Sequence, residues 1–120
     1  MMGQHTFKKH ERLCSKSVIK ELFEKGSSFY LYPFKVFFLE NREVSANVHQ
    51  CLFSVPKRNF KRAVDRNLLK RRLREAYRLN KALMGGEKKY FIAYIYTAKE
   101  KLPFSTIEEK LKSTLVRLSS

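Results

Sequence analysis

The sequence predicts a single α+β domain, a sandwich in which helices pack on a sheet. Apolar residues recur at helical spacing in three segments, and runs of aromatic or β-branched residues typical of strands lie between them. The 120 residues contain no repeat, low-complexity tract or interdomain linker, and such a length is typical of one domain with one core. The predicted order is α-β-β-α-β-α, extended to α-β-β-(β)-α-β-α by a short strand at Phe29-Tyr30-Leu31.

The first helix is predicted at about residues 16–25. Ser15 or Ser17 can cap its start, and Gly26 suits its end. Its apolar face consists of Val18, Ile19, Leu22 and Phe23.

Two long strands are predicted next. FKVFFL, at 34–39, has the alternating pattern of a strand, and CLFSVPK, at 51–57, is the second strand with Pro56 at its end. The polar residues 41–49 between them predict a hairpin loop. In the first strand Phe34, Val36 and Phe38 should face the core, with Lys35 and Phe37 on the other side.

A basic helix is predicted from about residue 62 to residue 83, ending at Met84-Gly85-Gly86. YFIAYIY, at 90–96, predicts a buried strand. Pro103 and the capping pattern Ser105-Thr106-Ile107-Glu108 indicate the start of a last helix. One face of that helix carries Ile107, Leu111, Leu115 and Leu118.

The charge balance indicates a polyanionic partner. There are 26 Lys and Arg against 11 Asp and Glu, a net charge of +15, which destabilises a compact state by self-repulsion. Nucleic acid is the first candidate and an anionic membrane surface the second.

No apolar run approaches the about 18–20 residues of a membrane span, and residues 1–13 lack the apolar stretch of a secretory signal. Cys14 and Cys51 are expected to stay reduced, so the predicted location is the cytoplasm.

When successive residues of the basic helix are placed about 100° apart around its axis, two distinct faces separate. Residues 57–81 hold eleven basic and two acidic side chains, a net +9, whereas a merely solvated face usually mixes the two signs. The many arginines favour phosphate. Asp65 and Arg72 fall on the apolar side; Asp65 suits the first turn, and Arg72 must extend its stem along the edge. The cationic face carries Arg66, Asn67, Lys70, Arg71, Arg74 and Arg78, and the apolar face Leu68, Leu69, Leu73, Ala76 and Leu79.

Phe37 is the candidate for base stacking. The sequence has no helix-turn-helix pair, zinc spacing or leucine zipper, and its aromatics favour single-stranded RNA, whose unstacked bases need flat partners. Phe37 shares a strand face with Lys35, opposite the predicted core. The two side chains can form a stacking platform. The alternative is an edge aromatic beneath a loop.

No catalytic or metal-binding residues are predicted in this chain. His5, His10 and His49 are scattered, without a carboxylate or cysteine at metal spacing, and no glycine loop suits a phosphate. Asp65 and Glu75 lie among arginines, which keep carboxylates ionised and poor as general acids.

The segment AVDRNLLKRRLREAYR, at 63–78, resembles the signature of the bacterial ribonuclease P proteins, roughly A-V-x-R-N-x-[IL]-K-R-x-[IL]-R-E-x-[FY]-R. CLFSVPKR, at 51–58, resembles the family's strand ending in V-S-K-K, and the likeness extends over about residues 10–118. The matching positions are Ala63, Val64, Arg66, Asn67, Leu69, Lys70, Arg71, Leu73, Arg74, Glu75, Tyr77 and Arg78.

The resemblance implies a ribonucleoprotein that cuts the 5′ leader from precursor tRNA, with the catalytic magnesium ions (Mg2+) held mainly by the RNA subunit. It implies a basic helix against that catalytic RNA and a leader-binding cleft between the sheet and the first helix. It also implies a ribosomal-protein-like domain with a left-handed β-α-β crossover, an exception to the usual hand. The chain is expected to bind RNA as a monomer, with residues 1–12 as a flexible basic tail. The expected RNA-binding residues are Lys57, Arg58, Arg62, Arg66, Asn67, Lys70, Arg71, Arg74 and Arg78, and the expected leader-binding residues are Ile19, Phe23, Lys35 and Phe37.

The alternative function is that of a non-enzymatic RNA binder, a ribosomal protein or an RNA chaperone, with the same fold and charge. A third candidate, a cationic helix on a membrane surface, is disfavoured because the apolar face of the basic helix is needed for the core.

Overall fold

The computed structural model describes residues 11–43, 46–84 and 88–119. Over these residues the predicted α+β class is confirmed, and the short strand predicted at 29–31 is part of a longer one. The basic helix is continued by a 3-10 turn, Lys81–Leu83, while Gly85 and Gly86, its predicted stop, lie outside the described residues. The elements are α1 Lys16–Lys25, β1 Ser27–Leu31, β2 Phe34–Asn41, β3 Gln50–Ser54, α2 Ala63–Asn80, β4 Lys89–Tyr96 and α3 Phe104–Ser119.

The four described strands form one sheet in the order β1-β2-β4-β3. β1 and β2 form an antiparallel hairpin, β2 pairs antiparallel with β4, and β4 pairs parallel with β3. The connection from β3 to β4 runs through α2, which confirms a β-α-β crossover; its left hand stays a prediction from the family resemblance.

The predicted hairpin between residues 34–39 and 51–57 is wrong, because β4 lies between β2 and β3. β4 is suited to this central place because it is buried on both faces: Ile92, Tyr94 and Tyr96 face one side and Ala93 the other. The hairpin is formed by β1 and β2 instead, and β3 pairs with the other side of β4.

Helices α2 and α3 cover one face of the sheet and form the main core with it. Phe34 and Val36 of β2 are fully buried there, and Phe38 is half-buried against the same cluster, as the alternation predicts. Tyr94 donates a hydrogen bond to Thr114 inside this core, 2.8 Å between the oxygens, because the Thr114 hydroxyl itself donates to the Leu111 carbonyl. The predicted buried face of α3 is confirmed at Ile107, Leu111, Leu115 and Leu118.

The opposite face of the sheet carries α1, whose buried Leu22 packs in a second, smaller cluster with Leu13 and Ala93. Ser15 caps the helix by accepting a hydrogen bond from the Val18 amide, and the Gly26 amide donates to the Leu22 carbonyl at its end. A Cβ atom at position 26 would collide with that carbonyl and come within 2.9 Å of the Phe38 carbonyl oxygen, so the turn into β1 needs glycine.

The rotation of α2 differs slightly from the predicted one. Leu69, Leu73 and Ala76 are buried as predicted, but Leu79 is 39% exposed, and Tyr77 is buried in its place beside Phe53. The large Tyr77 ring fills the space above the sheet near the end of α2. The helix is therefore rotated so that position 79 faces outwards. The two residues that fitted the apolar side badly are accounted for by polar contacts: Arg72 donates to the Leu102 carbonyl at 2.7 Å, and Asp65 in the first turn pairs with Lys101 at 3.2 Å.

The segment before α1 is fixed to the far edge of the sheet. The Leu13 amide donates to the Cys51 carbonyl of β3, and Arg12 forms a bridge with the same residue. Glu11 is buried and pairs with Lys81, 2.7 Å between Oε1 and Nζ. Residues 11 and 12, assigned from the sequence to a flexible tail, therefore belong to the folded domain, and residues 1–10 lie outside the described ranges.

The two cysteines are expected to differ sharply in reactivity. Cys14 is exposed, whereas burial raises the pKa of the Cys51 thiol to about 12, so that almost no thiolate forms near neutral pH. A thiol reagent at pH 8 should modify Cys14 quickly and Cys51 only when the domain opens, which mass spectrometry of the labelled peptides would show. Equal, fast labelling of both residues in the folded protein would contradict the buried position of Cys51.

Candidate nucleic-acid interface

The outer face of α2 carries the predicted cations. Asn67, Arg71 and Arg74 are exposed and Lys70 is half-buried, while the inner face of the helix is used in the core. The loop before the helix adds three more cations of the predicted set, Lys57, Arg58 and Arg62, all of them exposed. The structure therefore presents Arg71, Arg74 and Arg78 together along α2, with the exposed loop cations just before the helix in the chain. Their contact with RNA stays a prediction.

Arg66 has a structural task that the sequence did not reveal. Its Nη1 atom donates to the carbonyls of Phe60 and Lys61, at 2.8 and 2.9 Å, and so holds the loop in front of α2. The N-cap residue Arg62 makes no side-chain cap hydrogen bond, so this clamp is one of the contacts that fix the start of the helix. The backbone that presents Lys57 and Arg58 is thereby tied to the helix.

An arginine-lined groove lies beside the second half of α2. It is lined by Arg12, Arg71, Arg74, Glu75 and Arg78. Arg78 binds Glu75 through two hydrogen bonds of 2.9 and 2.6 Å, and these hold the pKa of the Glu75 carboxyl below its usual value. Sequence reasoning missed Arg12, because only the pairing of residues 12 and 13 with β3 places it beside the helix.

The predicted leader-binding residues meet between α1 and the sheet. Phe23 of α1 is 40% exposed and contacts Phe37 of β2 edge to face, with 4.7 Å between ring centroids. The Lys35 ammonium lies 5.6 Å from the centre of the Phe37 ring, within cation–π range. Ile19 is half-buried on the same side of α1 and packs in the cluster that includes Phe37.

Phe37 is not an edge aromatic beneath a loop. β2 lies between β1 and β4, and the cross-strand neighbours of Phe37 are the small residues Ser28 and Ala93. Small side chains on both sides leave the half-buried Phe37 ring and the exposed Phe23 ring as the prominent apolar groups of this cleft. Two aromatic rings beside a lysine are suited to stacking a base and neutralising its phosphate.

The described residues form no metal site. No three His, Cys, Asp or Glu side chains come together as a metal site anywhere in residues 11–43, 46–84 and 88–119. His49 accepts a hydrogen bond from the Tyr90 amide, and burial lowers the pKa of its imidazole. In the same part of the chain, no helix has both the length and the apolar character that a membrane crossing requires.

Comparison with known proteins identifies the family. The ribonuclease P family model matches residues 7–119. The ribonuclease P protein component of Porphyromonas gingivalis (strain ATCC 33277) is 37% identical over 116 residues, covering 92% of this chain and 85% of the relative. That of Petrotoga mobilis is 41% identical over 81 residues, covering 68% of this chain and 64% of the relative.

Solved structures agree with this match. The ribonuclease P protein of Thermotoga maritima superposes with a TM-score of 0.75 at 29% identity, covering 92% of this chain and 99% of that one. The Staphylococcus aureus ribonuclease P protein, at 22% identity, has a TM-score of 0.71 and is evidence for the fold alone. With a family model spanning nearly all of its length, this chain belongs to the ribonuclease P protein family.

Proposed function

We propose that this chain binds the catalytic RNA of ribonuclease P through the outer face of α2 and the 5′ leader of precursor tRNA in the cleft of Phe23 and Phe37. Family membership makes the chain a protein subunit of an endoribonuclease complex and implies an RNA partner, the ribonuclease P RNA. The observation that carries the proposal is the α2 helix itself: Leu69, Leu73, Ala76 and Tyr77 are buried in the core, while Asn67, Arg71 and Arg74 on its basic side are exposed. The ribosomal and chaperone alternatives no longer apply.

The two proposed surfaces lie on opposite faces of the sheet. α2 packs on the face that holds the main core, whereas the cleft opens under α1 on the other face. One folded domain can therefore contact the large RNA and the substrate strand at the same time. Because the free chain carries a net charge of +15, its copies repel each other, which supports a monomer that is completed by RNA rather than by a second copy.

The cleavage chemistry, in this proposal, belongs to the RNA. Asp65 is paired with Lys101 and Glu75 with Arg78, so these carboxylates are already bound to cations and do not suit a resident magnesium ion. In this proposal the catalytic Mg2+ would be held mainly by the partner RNA. The side chains of this protein bind and orient the RNA and neutralise its phosphates. Cationic side chains near the folded RNA do part of the screening that divalent ions otherwise do.

The proposal predicts a shift in the magnesium requirement. Single-turnover cleavage of precursor tRNA would be measured over a magnesium series with cognate RNA alone, protein alone and both together. The protein should lower the magnesium concentration needed for cleavage, and high magnesium should partly replace it. Asp65→Asn and Glu75→Gln should leave the cleavage step at saturating magnesium within about one order of magnitude, or about 1.4 kcal/mol. Cleavage at the leader junction by RNA-free protein would contradict the assignment of the chemistry to RNA.

A further inference from the structure

Tyr30 lies on the cleft side of the sheet, outside the predicted leader-binding set. It pairs across the hairpin with Lys35, and directly opposed residues of an antiparallel pair point to the same face. Lys35 and Phe37 share that face because they are two residues apart in β2. The neighbouring Phe29 packs against the main core on the other face, which agrees with this alternation. Tyr30 is 57% exposed, more than any other aromatic side chain in the described ranges.

The Tyr30 ring is held in position by its hydroxyl. The Thr97 hydroxyl donates to the Pro33 carbonyl at 2.9 Å, so in the 3.2 Å contact between the two hydroxyls Tyr30 is the donor. Thr97 directly follows β4, and its amide is bonded to Pro33 at the start of β2. The side chain thus extends from β1 across the β2 position to the end of β4. With its hydroxyl held at Thr97, the Tyr30 side chain still keeps more than half of its surface exposed to solvent.

Tyr30 and Phe37 are diagonal neighbours with Lys35 beside both. Diagonal residues on an antiparallel pair lie about 7–8 Å apart, with their Cβ atoms somewhat closer, which is within reach of successive nucleotides of an extended strand. The Lys35 ammonium lies over the Phe37 ring, 5.6 Å from its centroid, and Lys35 is also the cross-strand partner of Tyr30, so its charge can neutralise a backbone phosphate on this face. The arrangement is two aromatic residues at diagonal positions of one sheet face, with a lysine that pairs with Tyr30 and lies two residues from Phe37.

We propose that Tyr30 stacks the base of a leader nucleotide adjacent to the one held at Phe37, so that the single-strand track continues from the cleft onto the β1–β2 hairpin. The inference rests on the proposed leader binding at Phe37 and adds one nucleotide position to it. Base stacking on aromatic rings tolerates any base, so Tyr30 adds affinity without choosing a sequence.

Tyr32 offers a matched control. It belongs to the same hairpin and is 46% exposed, but its hydroxyl donates to the Glu100 carboxylate at 3.4 Å. The negative charge of Glu100 repels a phosphate, so this ring is not part of the proposed track. Tyr32→Leu removes an exposed aromatic of equal size from the same turn.

The first test is binding of precursor tRNAs with leaders of increasing length to the reconstituted holoenzyme. Tyr30→Leu should weaken binding of long-leader precursors about 5-fold to 100-fold and leave mature tRNA and the shortest leaders unaffected. Tyr30→Phe keeps the ring and should lose at most a few-fold, and Tyr32→Leu should bind like wild type. A Tyr30→Phe loss equal to that of Tyr30→Leu, or an equal loss for mature tRNA, would overturn the stacking role.

The second test locates the base. The fluorescent base 2-aminopurine, placed in turn at each leader position, is quenched where it stacks on a ring. Tyr30→Leu should restore fluorescence at one position, and Phe37→Leu at its immediate neighbour. Restoration at the same position by both variants, or no change with Tyr30→Leu while Phe37→Leu has its effect, would overturn the Tyr30 assignment alone. A wild-type holoenzyme that binds precursor and mature tRNA equally would instead overturn the proposed leader binding.

Discussion

Neutralising Lys70, Arg71 and Arg74 together is expected to flatten the dependence of log affinity for the ribonuclease P RNA on log salt concentration by about two to three units. Each phosphate that a side chain neutralises releases condensed counterion, so three lost contacts reduce the slope by nearly that number. At low salt the affinity should fall by about 100-fold or more, since hydrogen bonds to charged groups contribute about 1.5–3 kcal/mol each. Filter binding or fluorescence titration at four or more salt concentrations measures both quantities.

The choice of residues follows from their contacts. Arg66 is left intact because its Nη1 atom holds the loop before α2, and its removal would mix a folding effect with a binding effect. The matched control neutralises Lys88, Lys110 and Lys112, which removes the same charge from outside α2. Equal slope changes for the two triple variants would show that affinity follows net charge alone and that the α2 face is not the RNA-binding surface.

Phe37→Leu is expected to weaken holoenzyme binding of precursor tRNA far more than binding of mature tRNA, because only the precursor has a leader to stack. The stacking of one base is worth about 1–3 kcal/mol, so the loss lies between a few-fold and about 100-fold. Leucine keeps most of the apolar contact with Phe23 and preserves the packing of α1. Parallel titrations with the two tRNAs give the ratio of dissociation constants, and thermal unfolding shows whether the domain remains intact.

Phe91→Leu is the control for Phe37→Leu. Phe91 is also half-buried on the α1 side of the sheet, but it lies on β4 opposite Leu39, away from Lys35. Both variants lose a ring from the same apolar cluster, so a similar drop in melting temperature is expected, while only Phe37→Leu should change the preference for precursor. A large loss of stability in Phe37→Leu with an unchanged preference would assign the ring to packing alone.

The periodicity of apolar residues was sufficient to predict the helices and strands and the two faces of α2. The buried Leu69 and Leu73 and the exposed Arg71 and Arg74 follow directly from 3.6 residues per turn. The error at Leu79 arose near the end of the helix, where the fit of the Tyr77 ring against Phe53 decides the rotation and hydrophobicity alone does not. Alternation likewise placed Phe37 and Lys35 away from the main core.

The order of strands could not be predicted in the same way. Whether β2 pairs with β3 or with β4 depends on which strand can be buried on both faces and on the connection through α2, and no local pattern records that choice. The role of Tyr30 could not be predicted either, because Thr97, which orients its ring, is 67 residues away in the sequence. The pairing of Glu11 with Lys81, 70 residues apart, was missed for the same reason.

The attachment of residues 11–13 to β3 has a consequence for the protein before RNA binds. A sheet with a free edge offers unpaired amides and carbonyls to any other strand, which is a common route to aggregation. Here the outer edge of β3 is partly covered by the bond from the Leu13 amide to the Cys51 carbonyl. In the described part of the chain the remaining free edge is β1, only five residues long. The domain therefore has little backbone to offer for fibre-like pairing, and a newly made chain can stay folded and available until its RNA is transcribed.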